Sequence, residues 1–297
     1  MNNVLVTGGT GFIGRHLIPD LLASGWQVEV LTRNARHARE RLPASVRPIE
    51  SLGEASEPQV AINLAGENLA AGRWTEQRKR EMRDSRLRIT RDLVAFIGEC
   101  TSKPEVLISG SAVGYYGARG DEILDESKAP ADEFQSHLCA DWEAEARKAE
   151  DYGVRVCRLR TGIVLGAREG ALAQMITPFK LGVGGRFGSG RQYMPWIHID
   201  DEVGAIRFLI DNDQASGPFN LSAPNPVSNR EFTKTLAGVL NRPSFAWVPG
   251  PVLKTMLGEM AHLLLTGQRA VPSALETAGY RFKFTELKAA LDDLVGR

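Results

Sequence analysis

The chain has little of what marks a specialised class of protein. Its 297 residues include three cysteines, Cys100, Cys139 and Cys157, an odd number at wide spacing. That pattern builds no disulfide framework and fits reduced thiols, and with no CxxC and no His/Cys cluster it offers no metal site. Charge of either sign is not in surplus: 36 basic residues face 36 acidic ones. A balanced chain has no global field to draw it onto nucleic acid or an anionic membrane. No apolar run approaches the ~20 residues of a membrane span. Met1-Asn2-Asn3 carries no basic segment and runs straight into an apolar stretch, so no signal peptide is expected. Internal repeats and low-complexity tracts are missing too. These absences lead to the expectation of a cytoplasmic location.

What remains is an ordinary globular composition, 43% apolar and 24% charged, enough to fill a sizeable core. The length suggests two domains, or one large α/β unit with an appended lobe. The organising stretch is Val4-Leu5-Val6-Thr7-Gly8-Gly9-Thr10-Gly11-Phe12-Ile13-Gly14. A strand-length apolar run meets glycines at GxxGxxG spacing, and a helical pattern follows at Leu17, Ile18, Leu21 and Leu22. This order predicts a strand, a tight turn and a helix whose free N–H groups can hold a pyrophosphate. Gly8 serves the sharp turn, Gly11 the close approach of phosphates, and Gly14 the packing of helix on strand.

The second strand, 26–31, ends in Thr32-Arg33-Asn34. An NAD site places an acid here to hold the ribose hydroxyls. Arg33 stands there instead, followed by Arg36 and Arg39, and a guanidinium suits the 2′-phosphate of NADP. The bland alternative is a solvated basic turn. Further strands are expected over 46–49, 59–64, 106–108 and 154–159. Leu64, Ala65 and Gly66, small residues after the fourth strand, are candidates for lining the adenosine side. A long charged helix over 75–100 is locally basic, but Glu76, Glu81, Asp84 and Asp92 offset it and no aromatic platform for bases is interleaved.

After the fifth strand come Ser111, Tyr115 and Gly117, hydroxyls suited to the nicotinamide end of a cofactor. Residues 119–133 read as an irregular acidic loop and 134–152 as a helix. After Gly166 the character changes, and from Gly182 to Arg191 the chain is glycine-rich and irregular, with Arg186 and Arg191 available for anionic groups. A helix reaching Asp211 is expected to be capped by Asp200 and Asp201. One more strand is expected over 217–221, then helices over 229–240, 251–265 and 286–295. His198, between a strand and a helix, reads equally as a substrate ligand or a structural hydrogen-bonding group.

The motifs Thr7 to Gly14, Asn63 to Asn68, Ser85-Arg86 with Thr90, Trp142-Glu143, Arg160 to Gly166 and Pro195 to Ile199 together resemble an extended short-chain dehydrogenase/reductase. More narrowly, the chain resembles the atypical YfcH-like "epimerase family" branch, over nearly its whole length, with its small C-terminal module of undefined function from about Trp247. The resemblance implies a Rossmann-type doubly wound parallel sheet with a smaller, mostly helical C-terminal substrate lobe. Its expected division is 1–166 with 197–222 for the dinucleotide, and 167–196 with 223–297 for the substrate. It also implies that Gly8, Thr10, Gly11, Phe12 and Ile13 surround the pyrophosphate and that Thr32 and Arg33 meet the adenosine phosphate. Leu64 and Ala65 would pack on ribose and adenine, Glu81 and Arg86 approach from the long helix, and Val164 lie against the nicotinamide.

One departure bears on chemistry. Typical members use a Tyr-x-x-x-Lys pair on the helix after the fifth strand. One register puts Gln135 and Cys139 at those positions, the other His137 and Asp141. Ser111 stands at the catalytic hydroxyl, and Tyr115 and His137 are candidate proton donors. Two functions follow: an NADP(H)-dependent oxidoreductase or epimerase-like enzyme on a small or nucleotide-linked carbonyl substrate, with an anionic group a candidate feature, or a non-catalytic NADP(H)-sensing regulator. Homo-oligomerisation is left open.

Overall fold

The computed structural model describes residues 2–69 and 72–296. The strands of its main sheet are β1 (Asn3–Thr7), β2 (Gln27–Leu31), β3 (Arg47–Ile49), β4 (Val60–Asn63), β5 (Val106–Ala112), β6 (Arg155–Thr161) and β7 (Gly217–Leu221). All seven run parallel, in the order β7-β6-β5-β4-β1-β2-β3. The chain order reverses between β1 and β4, which opens the crevice where doubly wound sheets bind ligands. Both faces of the sheet are covered, so its strands are near-continuous apolar runs. Val4 and Val6 pack with Leu17, Ile18 and Leu21 of α1 (Phe12–Ala23) and Val203 and Ile206 of α6 (Ile199–Asp211). Leu5, Ala61 and Leu107 meet Leu93 and Ile97 of α3 (Glu76–Glu99) on the other face, where Ala146 of α4 (Phe134–Arg147) joins them.

A second core lies beyond the sheet. Leu172 and Phe179 of α5 (Gly170–Lys180) pack with Trp196, with Phe232 and Leu236 of α7 (Asn229–Val239), and with Leu291 of α9 (Leu287–Val295). Short strand pairs tie the two parts together. Ile163–Leu165 pairs with Trp196–His198 and Ile123–Leu124 with Arg269–Ala270, while Gly185–Phe187 pairs with Ala246–Val248 inside the C-terminal part. The fold is therefore α/β, a Rossmann-type sheet with a smaller helical C-terminal part. Among the described residues no helix is long and apolar enough to cross a membrane.

The structure differs from the sequence reading at four places. The basic segment after β2 is helical, α2 (Ala35–Arg41), because Asn34 accepts the His37 N–H and caps it. The sequence assigns no element to 167–181, where α5 buries Leu172, Ile176 and Phe179 at helical spacing. The helix over 251–265 is interrupted: α8 (Gly250–Leu257) ends at Gly258, whose φ of 62° cannot continue a helix, and a separate turn holds His262–Leu265. Neither acid caps α6. His198 does so, its Nδ1 accepting the Asp200 N–H at 3.0 Å. Asp201 instead accepts the backbone N–H groups of Lys283 and Phe284, fastening the C-terminal segment.

Candidate active site

The glycine turn after β1 is shaped by backbone proximity. Gly8 has φ +71°, and a Cβ there would lie 2.6 Å from the Leu64 carbonyl. Gly14 packs on Gly9, whose Cα would be 2.6 Å from an added Cβ. At Gly11 an added Cβ would meet the Gly8 oxygen at 3.1 Å. Gly11 is also the N-cap of α1, and no side chain caps that end. The first-turn N–H groups of Phe12 and Ile13 thus have no intrahelical acceptor, which leaves a ready site for an anion. Thr10 and Gly11 sit on the open side of this turn, partly and fully exposed.

The strand ends around the turn are joined by one buried chain of hydrogen bonds. Thr7 donates to Asn63 (2.6 Å), and Asn63 Nδ2 donates to Thr90 (2.7 Å). The Trp142 indole donates to the same Thr90 oxygen at 2.9 Å. These links hold β1, β4, α3 and α4 in fixed register at the mouth of the crevice. Leu64 and Ala65 follow β4 directly under Gly8. Gly66 lies flat against the Arg86 guanidinium, where a Cβ would be 2.9 Å from Cζ. Arg86 itself is buried, donates to the carbonyls of Met82 and Glu67, and lies over the Trp142 ring.

Thr32 and Arg33 emerge from β2 on the same rim. The Arg33 side chain is 94% exposed and approaches one carboxylate, Glu67, at 3.4 Å. Arg78 of α3 reaches Glu67 and Glu81, so Glu81 stands at the outer edge of a polar depression that also includes Glu67 and Gly72. On the opposite rim, Val164 and Phe12 come together: the Phe12 ring rests on Gly166 and Gly170, and Val164 packs at the edge of the first core.

At the end of β5 the two candidate pairs on α4 differ in burial. Gln135 and Cys139 turn inward, whereas His137 is exposed and pairs with Asp132 (3.0 Å), and Asp141 pairs with Arg83 (2.7 Å). His137 is therefore a surface residue, not a site acid. Burial pushes the Cys139 thiol up to about 11, so it stays protonated. His198 is fully buried as a helix cap and stacks on Phe284, and burial holds its pKa down.

Sequence reasoning missed the hub of this region, Arg160. Its Nε and Nη2 hold the two oxygens of buried Glu143 at 2.8 and 3.0 Å, and Ser111 donates to the same carboxylate at 2.7 Å. The third nitrogen donates to the Tyr116 hydroxyl (3.0 Å), which donates in turn to Asn220 of β7 (2.7 Å). The guanidinium carbon lies 3.5 Å from the centre of the Tyr115 ring. Burial works against the charge of Arg160, but the hydrogen bonds and charge of Glu143 outweigh it and raise its pKa. The motifs containing Arg160 and Glu143 are visible in sequence; their contact across 17 positions is not.

A cavity of about 1370 Å³ opens between the start of α4 and the C-terminal part. Trp74, Phe134, Trp247 and Leu265 give it apolar walls, and Gln135 faces it. Arg186 and Lys254 also line it, and neither has a carboxylate within 4.0 Å among the described residues. Its two carboxylates are engaged: Glu259 by Lys79 at 3.0 Å, and Glu133 by His262 at 3.0 Å. Arg191, the other candidate for anions, is not among the residues lining it.

A seven-stranded parallel sheet, a glycine-rich turn opening onto a free helix end, and a hydroxyl at the end of β5 define a short-chain dehydrogenase/reductase of the extended type. The chain belongs to the NAD dependent epimerase/dehydratase family, which it matches over residues 4–222, and residues 248–294 match a domain of unknown function, DUF1731. It is 40% identical to the epimerase family protein YfhF of Bacillus subtilis over 301 aligned positions, covering 99% of this chain and 98% of that one. An Arabidopsis thaliana relative, a chloroplastic SDR39U1 homolog, is 39% identical and aligns with 97% of this chain and 85% of its own. The crystal structure of the human epimerase family protein SDR39U1 with NADPH superposes with a TM-score of 0.89 at 34% identity, covering 98% of both chains.

Proposed function

We propose that the protein binds NADP(H) and acts as an oxidoreductase or epimerase-like enzyme on a small or nucleotide-linked carbonyl substrate. The observation that carries the cofactor reading is Arg33, 94% exposed at the point where an NAD site places an acid. The NADPH in the structure of the human relative supports the same choice. The residues present fit the group. Gly8, Thr10, Gly11, Phe12, Ile13 and Gly14 would hold its pyrophosphate, and Thr32 and Arg33 its 2′-phosphate. Leu64, Ala65 and Gly66 would border the adenosine, Glu81 and Arg86 would approach from α3, and Val164 would meet the nicotinamide. When bound, the nicotinamide supplies or accepts a hydride. Residues 1–166 with 197–222 would form the cofactor part, and 167–196 with 223–297 the substrate lobe. In the cavity, Arg186 and Lys254 offer unpaired cations to an anionic group on the substrate.

Arg33→Ala is expected to weaken NADPH binding roughly 10- to 100-fold, the scale of a lost charge-assisted contact of about 1.5–3 kcal/mol, and to leave NADH binding nearly unchanged. Titration of both cofactors checks this, and equal losses would remove Arg33 from the 2′-phosphate. Ser111→Ala is expected to lower turnover about 10²- to 10³-fold with cofactor affinity kept, on the scale of one removed oxyanion or proton contact. Unchanged turnover would leave Ser111 as a partner of Glu143 only.

A second reading, a non-catalytic NADP(H)-sensing protein, draws on Gln135 and Cys139 in place of the Tyr/Lys pair. Single-turnover oxidation of bound NADPH with carbonyl compounds separates the two. Loss of the reduced signal supports the enzyme, and tightly held but unoxidised NADPH supports the sensor.

A further inference from the structure

The cavity holds one histidine–carboxylate contact among its described lining residues, and it joins the two parts of the chain. His262 lies in the C-terminal module, Glu133 caps the start of α4, and His262 Nε2 is 3.0 Å from Glu133 Oε2. Two residues along α4 is Gln135, at the position where typical relatives carry their catalytic tyrosine, and it faces the same cavity. The usual proton donor is missing from this wall, and a titratable pair stands beside the gap.

We propose that His262 is the proton donor and acceptor of this site and that Glu133 is its positioning residue. The inference rests on the oxidoreductase reading above. Both oxygens of Glu133 are engaged, Oε1 accepting the Ala118 N–H at 3.1 Å and Oε2 facing the imidazole. Gly117 makes that approach feasible: its φ is +64°, and a Cβ would crowd the Glu133 carboxyl carbon at 3.1 Å. A carboxylate oxygen accepts, so Nε2 donates to Glu133 and Nδ1 is the ring nitrogen left for the substrate. The imidazole side chain is 41% exposed. A carboxylate that orients an imidazole through one nitrogen and leaves the other to exchange protons is the arrangement of acid–base dyads generally.

The reaction balances with this pair. In carbonyl reduction the hydride, with its electron pair, passes from NADPH to the carbonyl carbon, and the C=O π pair takes the proton from Nδ1 of the imidazolium. The products are the alcohol, NADP⁺ and neutral His262, which regains a proton from solvent. Other charges facing this cavity are Lys254 and Glu259 from the module and Arg186 from the strand Gly185–Phe187, and Lys79 reaches Glu259 from α3.

The test uses the full chain loaded with NADPH, with phenylglyoxylate, benzaldehyde and phenanthrenequinone as carbonyl probes. His262→Gln is expected to lower kcat by about 10²–10⁴-fold and to flatten its pH profile, with NADPH affinity and thermal midpoint kept. Glu133→Gln replaces the carboxylate that orients Nε2, so the His262 ring resonances followed by NMR should move and kcat should fall with the fold kept. That NMR shift is read without turnover, and it carries the test should His262→Gln fail to fold. Wild-type kcat and pH profile in His262→Gln, or unmoved His262 ring resonances in Glu133→Gln, would overturn the proposal and leave an active oxidoreductase with another acid. A wild-type protein that holds NADPH but oxidises none of it with any probe overturns the oxidoreductase reading, and the relay with it.

Discussion

Glu143→Ala is expected to destabilise the protein by about 3–5 kcal/mol, the cost of leaving a buried charge without its partner. Arg160 is 3% exposed and Glu143 4%, so water cannot replace the lost carboxylate. Three further groups would be disturbed. Ser111 loses its acceptor, Arg158 loses a carboxylate 3.6 Å away, and the guanidinium stacked on Tyr115 loses what fixes its plane. Urea unfolding gives the measurement, a lower midpoint at unchanged slope. The double variant Glu143→Leu with Arg160→Met should recover much of the loss, because removing both charges also removes their desolvation cost. A loss below about 1 kcal/mol in Glu143→Ala would mean the pair behaves as an exposed one.

Gly8→Ala is expected to abolish cofactor binding, with affinity down by about 100-fold or more, equivalent to about 2.7 kcal/mol. Two effects add. A side chain at φ +71° costs about 1–2 kcal/mol, and its Cβ, 2.6 Å from the Leu64 carbonyl, must push the 64–66 segment out of the crevice. Gly25 separates these effects. It has φ +83° with nothing within 4 Å of an added Cβ, so Gly25→Ala should lower stability by about 1 kcal/mol and leave binding intact. Isothermal titration of NADPH into both variants reads the difference. Similar binding by the two would show that the turn yields without consequence.

Much of the fold is legible in the chain because its signals are local. The apolar runs at β1, β4 and β5 and the glycines between β1 and α1 carry their own periodicity and turn chemistry. What escapes has a physical reason in each case. The helix α5 begins at Gly170 and contains Pro178, two residues that argue against helix, and tertiary burial of Leu172 and Phe179 overrides them. Gly258 looks like any helix-internal glycine until its positive φ is known. The register of α4 cannot be read from spacing, since Gln135 and His137 are both polar and two apart. The contacts that matter most at the site span 17, 32, 104 and 129 positions. Such contacts are made by topology, and no local pattern encodes them.

The position of β7 has a consequence for how the chain acquires its structure. This strand is the last to join the sheet, yet it brings Asn220, whose Nδ2 bonds the carbonyls of Leu124 and Val271 and whose Oδ1 receives the Tyr116 hydroxyl. During synthesis, β1 to β6 emerge well before it. Until residue 221 has left the ribosome, the β6 edge lies open and the Tyr116 hydroxyl beside Arg160 waits without its acceptor. An uncovered parallel edge is prone to mispairing, and such long-range pairing is slow. The buried Arg160–Glu143 pair therefore lies next to a sheet edge that only this late strand covers.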